Sequence, residues 1–425
     1  METKSRKIHY GFFIVAGIFL QYLLAAGIIF GASGQFIVPV TKSLGIGQGQ
    51  FSFYMTIQQV AMALCTMAAP KLLEKFRFKP LNVTGTILAS VGLGMMAFAK
   101  GIMVFYVGGA LIGIGLTFLT FLTPGTLIPR WFNQKLGTML AVAGSALALG
   151  GIIFNPVIAG LLNSAPKLGF SEAWRSSYLI LAVLVFIVCF PVAVFVYKDS
   201  PESVGMKPYG EREIQEGAGS AAAKTGVSKA VAVKSLSFVF LVLMAVTWNL
   251  ATPIYTYFPA YASTNGASTS ITGIISSVVM LGSVVGGFIV GAINDRRGGH
   301  IGGLWCGICG VAGMLLMLIF KNSVVFLLAG GVLFGLYYAI ANVELPAMVQ
   351  KLYGTRDYDR IFPVASSVMP WAGAVSFSLW GFIYDGTGSY VVMMISGIIL
   401  CALTALCGLL AVSAAKKLPQ ESDAA

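Results

Sequence analysis

About twelve stretches of roughly 20 or more mostly apolar residues follow one another through this chain, and each is long enough to cross a bilayer as a helix. They fall near 9–38, 50–73, 81–99, 103–129, 136–162, 175–197, 236–262, 268–294, 301–320, 323–350, 361–384 and 389–415. In lipid every backbone N–H and C=O must be paired within the protein, so a run of such stretches folds as helices. Composition agrees, with 57% hydrophobic and only 10% charged residues and a mean hydropathy of +0.86, where soluble domains carry about 25% charged residues. The first stretch, from Gly11 to Val38, exceeds a signal-peptide core and is read as a permanent helix.

The net charge of +12 is a matter of sidedness. With the N-terminus inside, only Lys42, Lys100, Lys167, Arg175 and Lys321 lie on the outer side, and the other basic residues lie on the inner one. This is the positive-inside pattern. It predicts a multi-pass protein of the cell membrane with both termini cytoplasmic, and it removes the case for nucleic acid. The six cysteines all fall inside apolar stretches and read as packing groups, Cys306 and Cys309 included.

Residues 198–235 lose the apolar pattern and mix charge with Gly, Ser and Ala, which reads as a flexible cytoplasmic linker. It separates an N-terminal six-helix bundle, 1–197, from a C-terminal one, 236–425. The halves match each other: Glu74 and Asp295, Pro70 and Gly291, Lys100 and Lys321, and Gly109 and Gly330 are all 221 residues apart. A common offset across loops, helix ends and breakers implies internal duplication. The predicted fold is all-α, with twelve transmembrane helices in two pseudo-symmetric six-helix bundles. Two such bundles rocking about a site between them give alternating access. Small-xxx-small pairs (Gly27 and Gly31, Gly109 and Gly113, Gly282 and Gly286, Gly287 and Gly291) allow close helix approach, and each reads first as static packing.

Gly291-Ala-Ile-Asn-Asp295-Arg296-Arg297-Gly298 has the pattern G-x-x-x-D-R-x-G, which resembles the loop signature of the major facilitator superfamily. The resemblance implies a conformational latch in which a carboxylate and a guanidinium at a helix end bond to a neighbouring helix terminus. The equivalent loop of the first half departs from it, with Pro70, Glu74, Lys75 and Arg77 in the signature slots. Arg130-Trp131-Phe132-Asn-Gln-Lys135-Leu-Gly137 with Ala143-Gly144-Ser145, and Pro201-Glu202-Ser-Val-Gly205-Met-Lys207-Pro208-Tyr209-Gly210, are similar to segments of the oxalate/formate antiporter and monocarboxylate porter branch. That branch implies a carrier of small carboxylates, by symport or antiport, with aromatics of the fourth and tenth helices lining the site. Alignment on these segments places Phe121, Tyr338 and Asn342 at lining positions. The antiporters hold a dicarboxylate with one Arg and one Lys, and the corresponding positions here are about Gly287 and Ser367. No Lys or Arg lies in a helix interior, so a dianion is disfavoured: a desolvated anion without a cationic partner costs several kcal/mol.

Among the acids only Glu344 falls clearly inside a span, in Tyr337-Tyr338-Ala-Ile-Ala-Asn342-Val-Glu344-Leu-Pro346. It is a candidate for accepting a coupled proton, for binding a cationic substrate, or for an ion pair at a gate with Arg130 or Lys351. Trp248 and Asn249, beside Pro253, are further candidates for binding, and Gln58 and Thr120 read as packing. Other polar residues within the helices, Gln21, Gln35, Gln59, Asn155, Tyr255 and Trp371 among them, line the path or bond between helices.

The function expected is secondary transport of a small monocarboxylate, coupled to protons. No enzyme, catalytic residue, metal site or cofactor is expected, because no cluster of His, Cys or carboxylates exists, and no G-x-x-x-x-G-K-[ST] loop supports an ATP-driven pump. The partners expected are a small-molecule solute, a proton and the lipid bilayer, with the chain acting as a monomer. Alternatives are a carrier of an amine, zwitterion or neutral metabolite, and a non-transporting sensor on a transporter fold. The sensor would be expected to carry a signalling domain, whereas this chain ends about ten residues after its last helix.

Overall fold

In the computed structural model, described over residues 9–164, 169–210, 225–297, 299–340, 344–354, 356–416, 418 and 421–422, the chain is helical nearly throughout. The helices are α1 (Tyr10–Gly31, continued by Ser33–Phe36 and Ile37–Leu44), α2 (Gln48–Lys75), α3 (Phe78–Ala97), α4 (Ile102–Trp131), α5 (Leu136–Ser164) and α6 (Ala173–Val196). The second set is α7 (Leu236–Thr264), α8 (Thr269–Arg297), α9 (Gly299–Ile319), α10 (Val324–Tyr337, resuming as Glu344–Tyr353), α11 (Tyr358–Ser366 and Met369–Thr387) and α12 (Tyr390–Ala415). Among the described residues ten of these are long and apolar enough to span a bilayer outright. The other two are α2, diluted by Gln48, Gln50, Gln58 and Gln59, and α10, whose first segment is short. Outside the helices, Thr225–Gly226 pairs antiparallel with Glu421–Ser422.

Equivalent helices start in one register: α2 and α8 begin 221 residues apart. Within each half, glycine lets backbones touch. A Cβ on Gly27 would overlap the backbone of Gly150, one on Gly113 the backbone of Gln58, and one on Gly282 the backbone of Val332. These pairs are therefore static seams of α1 on α5, α2 on α4 and α8 on α10. Gly291 meets nothing within 4 Å.

Polar side chains inside each half are spent on interhelical bonds. Gln21 donates to Asn82 Oδ1 at 3.0 Å and accepts from the Tyr197 hydroxyl at 2.9 Å. Asn155 donates to the Gly31 carbonyl at 2.9 Å. Gln21 and Asn155, read in the sequence as possible path residues, thus serve packing.

We call the end where α1 starts and α12 finishes the near end, and the other the far end. At the near end the two signature segments dock on each other. The Tyr209 amide donates to the Trp131 carbonyl at 2.8 Å, the Asn133 amide to the Tyr209 carbonyl at 3.0 Å, and the Phe132 and Tyr209 rings lie 5.7 Å apart. Arg130 Nη1 donates to the Asp199 carbonyl at 3.2 Å. On the other side of the connector, the Lys229 amide donates to Asp357 Oδ2 at 2.7 Å and the Val227 amide to the Tyr353 carbonyl at 2.8 Å. The described parts of 198–235 are thus pinned, the first to α4 and the second to the α10–α11 turn.

At the far end Arg175 caps α3, donating to the carbonyls of Ala97 and Ala99 at 3.2 and 2.6 Å, and pairs with Glu172 at 2.9 Å. Removing it leaves partly buried carbonyls unpaired, so Arg175→Ala is expected to cost about 1–3 kcal/mol, read as a lower Tm in detergent. The Ser43 hydroxyl, then Arg175, hold the Glu172 carboxyl below the usual carboxylate range. A depressed acid stabilises above its unfolded pKa, about 4.3, and that stability is lost as pH falls through the folded value. Glu172→Gln is therefore expected to show a smaller drop of Tm below about pH 4 than the parent chain.

Candidate functional site

Besides the terminal π-turn of α6 and the kink of α11, four helices are interrupted at positions that correspond between the halves, and these interruptions define the site. α1 loosens into a π-helix over Tyr22–Gly31 and a 3-10 turn over Ser33–Phe36; α7 tightens into a 3-10 helix over Thr252–Tyr257. α4 is a π-helix over Thr117–Phe121, and α10 turns 3-10 over Tyr338–Ile340, so that Thr117 and Tyr338 stand 221 residues apart. Interrupted helices in equivalent positions of two repeats characteristically mark the binding region of a carrier, and π segments recur at functional sites. Local chemistry explains two of the breaks. Pro253 lies in the first turn of the α7 break, where its missing N–H costs nothing, and Pro346 follows the α10 break within Glu344–Tyr353.

The hydrogen bonds that join the two halves, among the described residues, all lie in the far-end portion of the helices. Tyr255 donates to the Phe30 carbonyl at 2.7 Å, and Gln35 to the Thr272 carbonyl at 3.1 Å. Tyr257 donates to Ser52 Oγ at 2.8 Å. Thr56 donates to the Ala374 carbonyl at 2.6 Å, and Ser277 to the Ile152 carbonyl at 2.9 Å. Backbones meet where a Cβ on Gly34 would overlap Thr256. The far end is sealed.

Beneath this seal the predicted residues are distributed as follows. Tyr338 sits edge-on to Trp248 at 5.7 Å and to Tyr255 at 6.0 Å, and the Trp248 ring N–H donates to the Tyr337 carbonyl at 3.1 Å. These three rings form one aromatic wall between α7 and α10. One residue on, Asn249 Oδ1 and Gln59 Nε2 approach the same face of Gly373, 3.3 and 3.9 Å from where a Cβ would stand, bringing α2, α7 and α11 together around an uncharged amide pair. Gln59 Oε1 is buried without a partner among the described residues. Phe121, in the π segment of α4, is 55% exposed. Ser367 lies at the kink of α11 with its hydroxyl bonded to the Val364 carbonyl at 2.8 Å. Asn342 lies outside the described residues.

Glu344 departs from the sequence reading. α10 is a lining helix, but the carboxylate is 0% exposed and turns into the second half. Its Oε2 accepts from Asn294 Nδ2 of α8 at 2.8 Å, and it rests against Gly302 and Gly303 of α9, where any side chain would meet it. Its Oε1 and Asn294 Oδ1 are buried acceptors without donors among the described residues. Of the two partners expected for a gate pair, Arg130 is bonded to the connector instead, and Lys351 lies in the last turn of the segment Glu344–Tyr353. Of the latch signature, Gly291 and Arg296 lie in the last turns of α8, Arg296 exposed; the side chain of Asp295 and the whole of Gly298 lie outside the described residues. Asn294, next to Asp295, ties this signature to Glu344.

Twelve helices in two matching sets, interrupted at equivalent positions and joined across the halves at one end, are the form of an alternating-access carrier. Family comparison agrees: the model of the Major Facilitator Superfamily matches residues 18–353 and 239–424, and this chain belongs to that superfamily. Its curated relatives are distant. The MFS-type transporter pytF of Aspergillus terreus is 23% identical over 67% of this chain and 89% of its own length. Monocarboxylate transporter 12 of Rattus norvegicus is 23% identical over 90% of this chain and 81% of its own. Monocarboxylate transporter 13 of the same organism is 25% identical, but over 41% of this chain and 39% of its own. Among solved structures, a bacterial homologue of the human lysosomal transporter Spinster, in an inward-facing and unoccupied conformation, superposes with a TM-score of 0.64 at 14% identity, covering 98% of this chain and 95% of that one. The likeness supports the fold.

Proposed function

We propose that this chain is a secondary active carrier of a small monocarboxylate, coupled to protons, in the cell membrane, with both termini cytoplasmic. The bundles 1–197 and 236–425 are the moving parts, the segment 198–235 connects them, and the carrier acts as a monomer. The observation that supports the substrate class is the charge of the passage: among the described residues every Lys and Arg lies at a helix end or in a connection. A dianion would lose its hydration there without a cation to replace it, at several kcal/mol. A monoanion is held by fewer groups, namely the Gln59 and Asn249 amides and the Tyr338 hydroxyl, or travels as the neutral acid. The names of the two monocarboxylate transporters among the relatives support the same class.

Proton coupling is assigned to Glu344. A proton on this carboxyl turns an unpartnered buried oxygen into a donor, and Asn294 Oδ1, against the same Gly302, is a buried acceptor that lacks one. Because Asn294 adjoins the latch signature of Gly291, Asp295, Arg296 and Gly298, the proton reaches the moving end of α8 rather than the solute. A second reading, a carrier of an amine or zwitterion, is favoured by the aromatic wall of Trp248, Tyr255 and Tyr338, since ring faces attract cations.

The test is uptake into proteoliposomes of labelled monocarboxylates, dicarboxylates, amines and neutral metabolites, with and without an interior-alkaline pH gradient. Monocarboxylate accumulation that a protonophore collapses is the expected result. Gradient-driven uptake of dicarboxylates would overturn the reading, and uptake of amines alone would favour the second.

A further inference from the structure

Two seams of the far-end seal are built differently. In the seam of α1 and α5 with α8 the contacts are neutral, Ser277 to the Ile152 carbonyl and Gln35 to the Thr272 carbonyl, and beside them a crevice of about 230 Å³ remains, lined by Gln35, Asn163, Pro259 and Thr269 among others. In the seam of α2 with α11 the first two amides of α2 meet a carboxylate: the Gln48 amide donates to Asp385 Oδ1 and the Gly49 amide to Asp385 Oδ2, both at 2.8 Å. The fit requires glycine. A Cβ on Gly47 would overlap the carboxylate, one on Gly49 would overlap Phe382, and one on Gly381 would stand 2.6 Å from Gly49 Cα. Gln48 is tied again, its Nε2 donating to the Tyr390 hydroxyl at 2.6 Å. The residues that Asp385 and Gln48 would match at the 221-residue offset are Ser164 and Thr269, so the duplication has not produced a second carboxylate.

We propose that Asp385 is the charged bolt of the far-end seal, a residue that sets the balance between the two conformations without touching solute. Helix N-termini carry unpaired N–H groups and partial positive charge, so a carboxylate that accepts two of them stabilises only the state in which α11 lies against the start of α2. Opening the far end breaks both bonds at once, and Asn in its place removes the charge and turns one acceptor into a donor. The inference rests on the alternating-access reading, which uptake by the parent chain tests separately.

The experiment follows thiol labelling in nanodiscs, where both faces are reachable, with peptide mapping to separate the reporter from the six native cysteines. Ser52→Cys reports on the far-end seal, because Ser52 is fully buried beneath it. Ser367→Cys, at the exposed kink of α11, reports on the near side. Because Asp385 lies at the protein surface, its effect is screened, and Asp385→Asn is expected to speed labelling of Ser52→Cys about two- to fivefold and to slow that of Ser367→Cys. Asp385→Glu, which keeps the charge, is expected to fall between Asp385→Asn and the parent. Unchanged labelling of Ser52→Cys would overturn the proposal, and so would a rise at both reporters, which marks local loosening rather than a shift between conformations.

Discussion

Glu344→Gln is expected to leave a folded carrier that exchanges solute across the membrane but no longer concentrates it against a pH gradient. With one proton carried per solute, each unit of imposed gradient supports about a tenfold concentration ratio, and the variant is expected to fall to a ratio near one. The folded state survives because Gln has the size of Glu, still accepts from Asn294 Nδ2, and brings the donor that the buried acceptors lack. Glu344→Ala differs: it leaves the Asn294 amide unpaired and a void against Gly302 and Gly303, at about 1–3 kcal/mol. Gradient-driven accumulation by Glu344→Gln equal to that of the parent would make the residue a structural one and remove the assigned coupling group.

The second large effect is expected at Gly34. Here α1 and α7 meet through broken segments, and a Cβ would run into the Thr256 backbone, which has no rotamer to yield. Overpacking of this kind typically costs about 1–3 kcal/mol, and at Gly34 the cost falls only on the conformation with the far end closed. Gly34→Val is therefore expected to deplete that conformation by about ten- to a hundredfold and to slow uptake accordingly. Its Tm is expected to stay near that of the parent, because the conformation with the far end open is relieved of the clash. Gly150→Val supplies the contrast: it collides with the Leu23 carbonyl inside one half, in a seam that does not open, so Tm falls and both conformations suffer together. Solute exchange and thermal unfolding, measured on both variants, separate the moving seam from the static one.

Hydropathy made the twelve helices legible, since lipid demands long apolar stretches whatever their partners. Even α2, with four glutamines in its first half, was readable by length. The interruptions were less so. Pro253 and Pro346 marked two of them, but the π segment Thr117–Phe121 keeps the same apolar composition as the helix around it, and period alone cannot report it. Glu344 was legible as the one intramembrane acid. Its direction was not, because that depends on the glycine pair of α9 that makes room for it and on Asn294 of α8 that bonds it. Gln21 and Asn155 show the same limit: an amide in a span announces a hydrogen bond, and only tertiary packing says whether the partner is another helix or a solute. Asp385 falls one residue beyond the predicted end of its span, where a lone acid reads as solvated. Its meeting with the start of α2, more than three hundred residues away, is a product of the docking of the two halves.

The two halves rocking about the interrupted helices is the claim on which transport, coupling and the far-end bolt all depend. It is tested most directly by spin-label distances across both ends of one seam, Gln50 to Thr387 at the far end of α2 and α11 and Lys71 to Arg360 at the near end, all four positions being exposed. Adding a transported monocarboxylate is expected to lengthen the first distance and shorten the second in the same fraction of molecules. Distances that stay fixed, or that change at one end without the other, would contradict it.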